Sequence, residues 1–452
     1  MANVTFIEPG SSFNAYGYFR LPLMGPLTLG TMLKEAGHEV LILRDSVRSV
    51  CDKGKEKVHE AVMRADVVAI SVMTSTATRA YQIADTIRKV APRIRIIMGG
   101  PHPTYMVEEA LEHSDLVVKG EGEEVILEAV NNSNLTGIIK GPLVEDLNKI
   151  PFPDFSILSD QDRPPRRTPI STSRGCPYNC VFCTVSSTFG RKYRLRDPEN
   201  VLEELSMRLA QGYDKFFFYD DNFGDSRETS KILLDGIARR GLKLQFSAEA
   251  RTNIAKDEEL LKLMSRANCK YVLIGLESIN PETLKSYNKK QTVEDIRRCI
   301  TRLHKHNIRV HGMFALGSDE DDANTVTETV KFCHEMNLES AQFAILHPLP
   351  GSRLYDMLDS EGRIFTKDWS LYDGTHVVFK PKKINPLELQ ERFFWAWKKF
   401  YSIWRKPLYF PVCRYIFNKW QKANKAAIAD LKRRFSTAAG KYQLRKDSDL
   451  ES

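Results

Sequence analysis

The sequence contains no apolar run near the roughly 18 residues that a membrane-spanning helix needs, and nothing at its amino terminus reads as a secretory signal peptide. Five of its eight cysteines are scattered without the spacing of a disulfide framework: Cys51, Cys269, Cys299, Cys333 and Cys413. These absences argue against a membrane-spanning or disulfide-stapled protein, and they predict a cytoplasmic location.

The size and composition of the chain predict a soluble protein with more than one domain. At 452 residues it is too long for one ordinary core, so we expect two domains plus an extension. Charged residues make up 27% of the chain, and the net charge of +8 is mild but unevenly distributed.

Residues 1–142 alternate short apolar runs with helical patterns. The runs are continuous and rich in Val and Ile, as in strands buried on both faces: VTFIEP, HEVLILR, DVVAISV, RIRIIMGG and DLVVKG. This alternation predicts a doubly wound, Rossmann-like parallel sheet. Ligands of such sheets bind beyond the carboxyl ends of the strands, where this sequence has SVMTST, GGPHPT and GEGEE.

A Pro-rich stretch, residues 143–167, predicts an extended linker between two domains. Residues 168–380 then resume the alternation with six strand candidates and longer helices, which predicts a partial (β/α)6, TIM-like barrel. The chemistry of such a barrel is expected at the carboxyl ends of its strands. Residues 381–452 read as a helical, aromatic and basic extension.

Three cysteines stand together in RGCPYNCVFC, at Cys176, Cys180 and Cys183. A structural zinc usually takes four ligands in two separated pairs, and the chain offers no second pair, although a catalytic zinc with three protein ligands stays open. A four-iron, four-sulfur cluster fits the spacing better, because three thiolates on one loop can hold three of its irons. The fourth iron is then open to a ligand that is not protein.

This spacing, after the first strand of a partial barrel, resembles the radical S-adenosylmethionine (SAM) superfamily. The resemblance implies that Cys176, Cys180 and Cys183 hold the cluster and that its open iron binds SAM. Electron transfer then cleaves SAM to methionine and a 5′-deoxyadenosyl radical, which abstracts hydrogen from an unactivated carbon. Phe182 matches the aromatic position that packs on the adenine.

The resemblance continues at the later strand ends, in FFFYDDNF, FSAEAR, IGLES and HPLPGSRLY. It implies that the methionine amino group is held by Asp220, Asp221 and Asn222, and that Glu249, Arg251 and Glu277 complete the SAM site. Taken alone, an Asp pair after a strand is more often a helix cap; the order of the motifs around one barrel favours the SAM site.

The first domain and its IPFPD linker resemble the cobalamin-binding radical SAM enzymes, often called class B when they methylate. The implied cobalamin residues are Ser71, Thr74, Ser75, Gly99, Gly100, His102, Gly120 and Glu121. The chain lacks the DxHxxG motif whose histidine coordinates cobalt in many cobalamin proteins, so we expect binding without a histidine ligand. His102 is expected to be structural. Some relatives keep this domain as a scaffold without cobalamin.

Twelve aromatic residues lie between Phe393 and Trp420, interleaved with Lys and Arg. They could close the open side of the barrel, or form an amphipathic surface at a membrane interface. Nucleic-acid binding is the third alternative and is not expected, since stacking platforms need aromatics exposed on a sheet or in a groove.

Together these features predict a cobalamin-dependent radical SAM C-methyltransferase. The resemblance implies an electron donor such as flavodoxin or ferredoxin, and the extension suggests a hydrophobic or lipid-like substrate and peripheral membrane contact. The first alternative is a radical SAM cyclase, a C–C coupling enzyme or a rearrangement enzyme whose first domain is a scaffold. A cobalamin-binding sensor is the alternative from another class.

Overall fold

The computed structural model describes residues 1–11, 21–51, 58–162 and 164–436. Residues 12–20, in the stretch of sequence that lacks DxHxxG, and residues 437–452 of the predicted extension lie outside this range. Within the described part, no helix has both the length and the apolar character needed to cross a membrane.

The described part of the first domain contains six strands: β1 (Asn3–Glu8), β2 (Glu39–Arg44), β3 (Val67–Ser71), β4 (Arg95–Gly99), β5 (Leu116–Gly120) and β6 (Gly137–Gly141). Its helices are α1 (Met24–Glu35), α2 (Glu60–Arg64), α3 (Ala77–Val90), α4 (Pro101–Tyr105), α5 (Val107–Leu111) and α6 (Ile126–Asn131). All strand pairs are parallel, in the order β2-β1-β3-β4-β5-β6.

Consecutive residues of the central strands enter different cores. Val67 and Ala69 of β3 pack with α1 and α6, whereas Val68 and Ile70 pack with α3. Burial on both faces explains the continuous apolar runs and confirms the predicted doubly wound sheet. The prediction missed β6, an edge strand in which half-buried and exposed positions alternate.

The predicted linker is packed against the first domain rather than loosely extended. Phe155, Ile157 and Leu158 enter the same core as α1, and two short 3₁₀ turns occupy 147–149 and 155–157. Asp160 forms an ion pair with Arg44 in which both side chains are only 2% exposed. The exact domain boundaries stay predictions.

The second domain contains β7 (Thr168–Ile170), β8 (Ser173–Arg174), β9 (Arg194–Leu195), β10 (Lys215–Phe218), β11 (Gln245–Ala250), β12 (Cys269–Glu277), β13 (Arg309–Leu316) and β14 (Ser340–Ile345). Six of them form a parallel sheet in the order β14-β13-β12-β11-β10-β7, which confirms the predicted partial barrel. β8 and β9 form a separate antiparallel ribbon whose strands bracket the three cysteines in the chain.

The helices of the second domain are α7 (Val185–Thr188), α8 (Pro198–Ala210), α9 (Arg227–Arg239), α10 (Glu258–Arg266), α11 (Pro281–Ser286), α12 (Val293–Lys305), α13 (Ala323–Glu335) and α14 (Arg353–Ser360). The extension adds α15 (Pro386–Phe400), α16 (Phe410–Ala423) and α17 (Lys425–Phe435). Phe393, Ala396 and Phe400 of α15 are buried in the barrel core, so part of the aromatic extension does close the barrel.

Candidate active site

The three cysteines lie on the loop that follows β7 and β8, at the carboxyl end of the barrel strands. Cys180 is buried, and its Sγ accepts a hydrogen bond from Arg251 Nη1 at 3.4 Å. The Sγ of Cys183 accepts one from the Val185 amide at 3.4 Å. Burial raises the pKa of Cys183 to about 12, so this thiol needs a cationic centre to be a thiolate at neutral pH.

Asp220 and Asn222 hold the backbone of this region. Asp220 Oδ1 accepts hydrogen bonds from the amides of Thr172 (2.7 Å) and Ser173 (2.9 Å), and its Oδ2 accepts the Thr172 hydroxyl. Asn222 accepts the Arg251 amide at 3.1 Å and donates to Asp225 at 3.0 Å. Both side chains, predicted to bind SAM, are therefore already engaged in fixing the strand ends beside the cysteine loop.

Asp221 and Glu249 are the carboxylates left available on adjacent strand ends. Asp221 opens onto a cavity between the two domains. Burial, reinforced by Asp220, raises the pKa of Asp221 to about 7. Burial, reinforced by Asp221 and Glu277, likewise raises the pKa of Glu249 to about 7. Carboxylates concentrated at neighbouring strand ends in this way suit a cationic ligand such as a sulfonium or an ammonium.

Arg251 and Glu277 each have a partner that the sequence analysis missed. The Arg251 guanidinium lies 3.8 Å from the centre of the Tyr178 ring and donates to the Lys289 carbonyl. Lys289 Nζ forms an ion pair of 2.6 Å with Glu277. Tyr178 stands between two motif cysteines and could have been noticed there, but Lys289 lies in a loop with no signal in the sequence.

Glu277 adopts a backbone conformation that side chains rarely take. Its φ is 62°, at a register irregularity in the pairing of β12 with β13. Such residues often mark functional sites, because the surrounding structure must hold them in place. Phe182, predicted to pack on adenine, lies edge-on to Tyr287 with ring centres 5.1 Å apart.

The cavity of about 500 Å³ joins the carboxyl ends of both sheets. Seven of the eight predicted cobalamin residues line it: Ser71, Thr74, Ser75, Gly99, Gly100, Gly120 and Glu121. Its opposite wall includes Asp221 and Tyr219 of the barrel, and Thr184 and Val185 beside the last cysteine. A larger cavity of about 800 Å³ flanks β2 but contains none of the predicted site residues.

Gly100 and Gly120 are required by the turns that form the first-domain wall. Both have positive φ, at 105° and 97°. A Cβ on Gly100 would lie 2.9 Å from the Val72 carbonyl oxygen, and one on Gly120 would lie 2.5 Å from that of Gly141. The wall therefore has no side chains at these two points, which suits the close approach of a large, flat ligand.

His102, the predicted cobalamin residue that does not line the cavity, is fully buried. Its Nδ1 lies 3.4 Å from the Thr74 hydroxyl, and its Nε2 lies 3.6 Å from Glu109 Oε1. The same Glu109 oxygen accepts the indole N–H of Trp369 at 2.7 Å. His102 thus belongs to a polar network joining the first domain to the segment after the barrel, consistent with a structural role.

Glu121 lines the cavity, but its carboxylate joins the two domains. It pairs with Arg194 at 2.5 Å and with Arg174 at 3.2 Å, and its side chain is 1% exposed. Burial alone would raise the pKa of Glu121; the hydrogen bond from Arg194 and the charge of Arg174 hold it below its usual value. Neither arginine was singled out from the sequence, because each reaches Glu121 only after the chain has folded over a long sequence distance. Such a contact leaves no local pattern.

The donor set fits a cluster with an open iron. The three thiols share one loop, and Asp221 and Glu249 lie on the neighbouring strand ends. Among the described residues, no three His, Cys, Asp or Glu side chains converge on one ion position. In a cubane each thiolate binds a different iron, so convergence on a single point is not required.

Comparison with known proteins identifies both halves of this arrangement. Residues 170–333 match the Radical SAM superfamily model, and residues 15–130 match the B12 binding domain model. The chain is 32% identical to the bacteriochlorophyllide d C-12(1)-methyltransferase of Chlorobaculum tepidum, over 75% of each chain. It is 28% identical to the anaerobic magnesium-protoporphyrin IX monomethyl ester cyclase of Rubrivivax gelatinosus, over 82% of this chain and 72% of the other.

The fold is shared with a solved structure of the radical SAM methyltransferase TsrM from Kitasatospora setae, with cobalamin and a [4Fe-4S] cluster bound. The TM-score is 0.61 at 20% identity, covering 80% of this chain and 75% of that one. Fold and site thus define a radical SAM enzyme with a cobalamin-binding domain. The chain belongs to the cobalamin-dependent radical SAM family, and its cofactors are a [4Fe-4S] cluster, SAM and cobalamin.

Proposed function

We propose that this enzyme is a C-methyltransferase that methylates an unactivated carbon of a hydrophobic or lipid-like substrate. The observation that carries the proposal is a cavity between the domains, lined both by Thr184 and Val185 beside the last cysteine and by the small-residue strand ends. Methylation of a substrate radical requires both cofactors to reach the same substrate atom. The radical formed at that atom must meet the methyl donor before it undergoes another reaction.

The residues of the chain divide the work of binding. Cys176, Cys180 and Cys183 would hold the cluster, and Asp221 with Glu249 would bind the cationic part of SAM. The strand ends at Ser71, Gly99–Gly100 and Gly120 would face the cobalamin. When bound, the cluster with SAM supplies a hydrogen-abstracting 5′-deoxyadenosyl radical, and cobalamin supplies the methyl group.

The shape and lining of the cavity support a hydrophobic substrate. Leu29 and Met73 from the first domain and Leu349 and Tyr372 from the second contribute to its walls. Apolar walls exclude water, which protects a carbon radical and favours an apolar substrate. The electron needed for SAM cleavage would come from a small donor protein such as flavodoxin or ferredoxin.

A second candidate is a cyclase or another radical rearrangement with no methyl transfer. This second candidate is supported by the similarity to the cyclase of Rubrivivax gelatinosus, which covers nearly the same share of the chain as the similarity to the methyltransferase. The two functions differ in the products that they leave from SAM. Methylation leaves both S-adenosylhomocysteine and 5′-deoxyadenosine, whereas a cyclase leaves 5′-deoxyadenosine alone.

The test uses reconstituted enzyme, a reductant and SAM carrying a deuterated methyl group. Extract from cells that lack the protein serves as the source of substrate. We expect 5′-deoxyadenosine and S-adenosylhomocysteine to form together, and deuterated methyl to appear in an extractable metabolite. The Cys176→Ala, Cys180→Ala, Cys183→Ala variant is the control and should form neither product. Formation of 5′-deoxyadenosine alone, with no label transferred, would overturn methylation in favour of the alternative.

A further inference from the structure

The connection between α15 and α16, together with the start of α16, exposes a cluster of large apolar side chains, here called the hairpin tip (residues 402–415). Trp404 is 92% exposed, Leu408 89% and Tyr415 67%. Ile403 and Val412 are also exposed. Such a group of bulky apolar side chains on one turn marks an interaction surface, because single exposed residues are common but clusters are not.

The hairpin tip and the residue before it are hydrogen-bonded to the barrel. Tyr401 donates its hydroxyl to the Ala341 carbonyl at 2.7 Å and accepts the Ala341 amide at 3.0 Å. Lys406 donates to the Leu338 carbonyl, and the hydroxyls of Tyr409 and Tyr271 lie 3.1 Å apart. These hydrogen bonds therefore anchor the segment that carries the exposed apolar side chains to the barrel.

These contacts place the hairpin tip at the amino ends of the barrel strands. Ala341 is the second residue of β14, Tyr271 is the third of β12, and Leu338 precedes β14 by two residues. The cysteine loop and the cavity lie at the opposite, carboxyl ends. A partner bound at the hairpin tip would leave the cofactor end of the barrel open to substrate and electron donor.

The charge around the hairpin tip is predominantly basic. Between Glu391 and Asp430 the chain has nine Lys and Arg residues and no Asp or Glu. The neighbouring strands also begin with basic residues: Lys215, Lys270 and Arg309, with Lys243 just before β11. Acids also lie at this end, among them Asp214 and Glu339, and the Glu339 carboxylate is hydrogen-bonded to His304 and to the Val310 amide.

We propose that the hairpin tip docks the enzyme on an anionic lipid bilayer, with Trp404 and Leu408 inserted at the interface and the surrounding basic groups against the headgroups. Trp at headgroup depth flanked by Lys and Arg is the pattern that such interfaces favour. The inference goes beyond the proposed function and does not depend on which reaction the enzyme catalyses. It supplies an attachment to the membrane, with the cofactor end held away from the bilayer.

The test is co-sedimentation of the full-length enzyme with two kinds of vesicle, phosphatidylcholine alone and phosphatidylcholine mixed with phosphatidylglycerol. We expect binding to the mixed vesicles that weakens as salt rises but is not abolished, because the apolar contribution does not depend on ionic strength. Trp404→Ser with Leu408→Ser should lower the affinity at least about tenfold. Arg405→Gln should lower it about fivefold.

The matched controls change exposed groups elsewhere on the barrel. Ile232→Ser removes an apolar side chain that is 56% exposed on α9, and Lys262→Gln removes a charge on α10. Both should bind the mixed vesicles as the unmodified enzyme does. Equal losses in the controls and in the hairpin-tip variants would overturn the proposal, as would equal binding to neutral vesicles. Self-association that depends on Trp404, without vesicle binding, would assign the surface to a second copy of the chain instead.

Discussion

The Glu249 carboxylate lies at a strand end and has no hydrogen-bond partner among the described residues. No hydrogen bond therefore lowers its pKa. Burial and the two nearby carboxylates Asp221 and Glu277 raise the pKa of Glu249 from 4.5 to about 7. Between these two pH values, Glu249 is therefore protonated in the folded protein and ionised in the unfolded chain. A bound cation would remove this conflict, which is how a SAM site is expected to behave.

The substitution Glu249→Gln tests this electrostatic conflict in the cofactor-free protein. Because the folded-state pKa is raised, the carboxylate lowers stability progressively as pH rises from about 4.5 to about 7, and the loss persists above that. The variant should therefore be more stable than the unmodified protein at pH 8, by at most about 3 kcal/mol, with little difference near pH 4.5.

Thermal unfolding of both proteins across this pH range measures the difference. Glu203→Gln, on the exposed face of α8, is the control for the loss of one carboxylate elsewhere in the protein. A stability difference for Glu249→Gln that does not change with pH would contradict the assigned charge.

Sequence patterns reveal which residue types lie at strand ends. They do not reveal which of these side chains are hydrogen-bonded to the backbone and which are free to bind a ligand. The motifs located Asp220, Asp221 and Asn222 together, yet the structure uses Asp220 and Asn222 to hold the backbone and leaves Asp221 open. Hydrogen bonding across neighbouring strands decides this, and it depends on register. The same limit hid Lys289, whose contact with Glu277 forms only after the loop folds back.

At the scale of elements, the buried parallel strands were predictable because burial on both faces leaves a continuous apolar run in the sequence. The edge strand β6 was missed, since Ile138 faces outward and is 49% exposed. The linker was recognised by its prolines, but its packing under α1 was not. That packing depends on Phe155 and Ile157, which are ordinary apolar residues outside any periodic pattern.

The turn after β5 gives a prediction at this scale. Gly120→Ala should destabilise the protein by more than Gly37→Ala, although both glycines have similar φ, 97° and 89°. A Cβ at position 37 meets nothing within 4 Å, so that variant isolates the backbone strain of about 1–2 kcal/mol. A Cβ at position 120 also collides with the Gly141 carbonyl.

Denaturant unfolding of the two variants gives the comparison, and cobalamin binding provides a second reading. Gly120→Ala should weaken cobalamin binding, because the displaced β5–β6 edge forms part of the cavity wall, while Gly37→Ala should not. Equal destabilisation by the two substitutions would show that the close approach of β5 to β6 is not the cause.

At the scale of the whole molecule, the two domains form one structure around a shared cavity. The core on one face of the first sheet continues into Leu346, Trp369 and Phe379 of the second domain. On the other side of the cavity, Glu121 is paired with Arg194 and Arg174. Breaking a buried ion pair typically costs about 3–5 kcal/mol, so this pairing holds the two domains together beside the cavity.

The central claim is that one loop of three cysteines holds a four-iron cluster, and the content of iron and sulfide tests it most directly. Anaerobically reconstituted enzyme should contain about four iron ions and four sulfide ions per chain and should absorb at about 400 nm. Replacing Cys176, Cys180 and Cys183 by Ala should abolish both. Replacing Cys269, Cys299 and Cys333 removes as many thiols from the barrel core and should leave the cluster content unchanged. Iron and sulfide retained in the first triple variant, or lost equally in the second while it stays folded, would contradict the assignment.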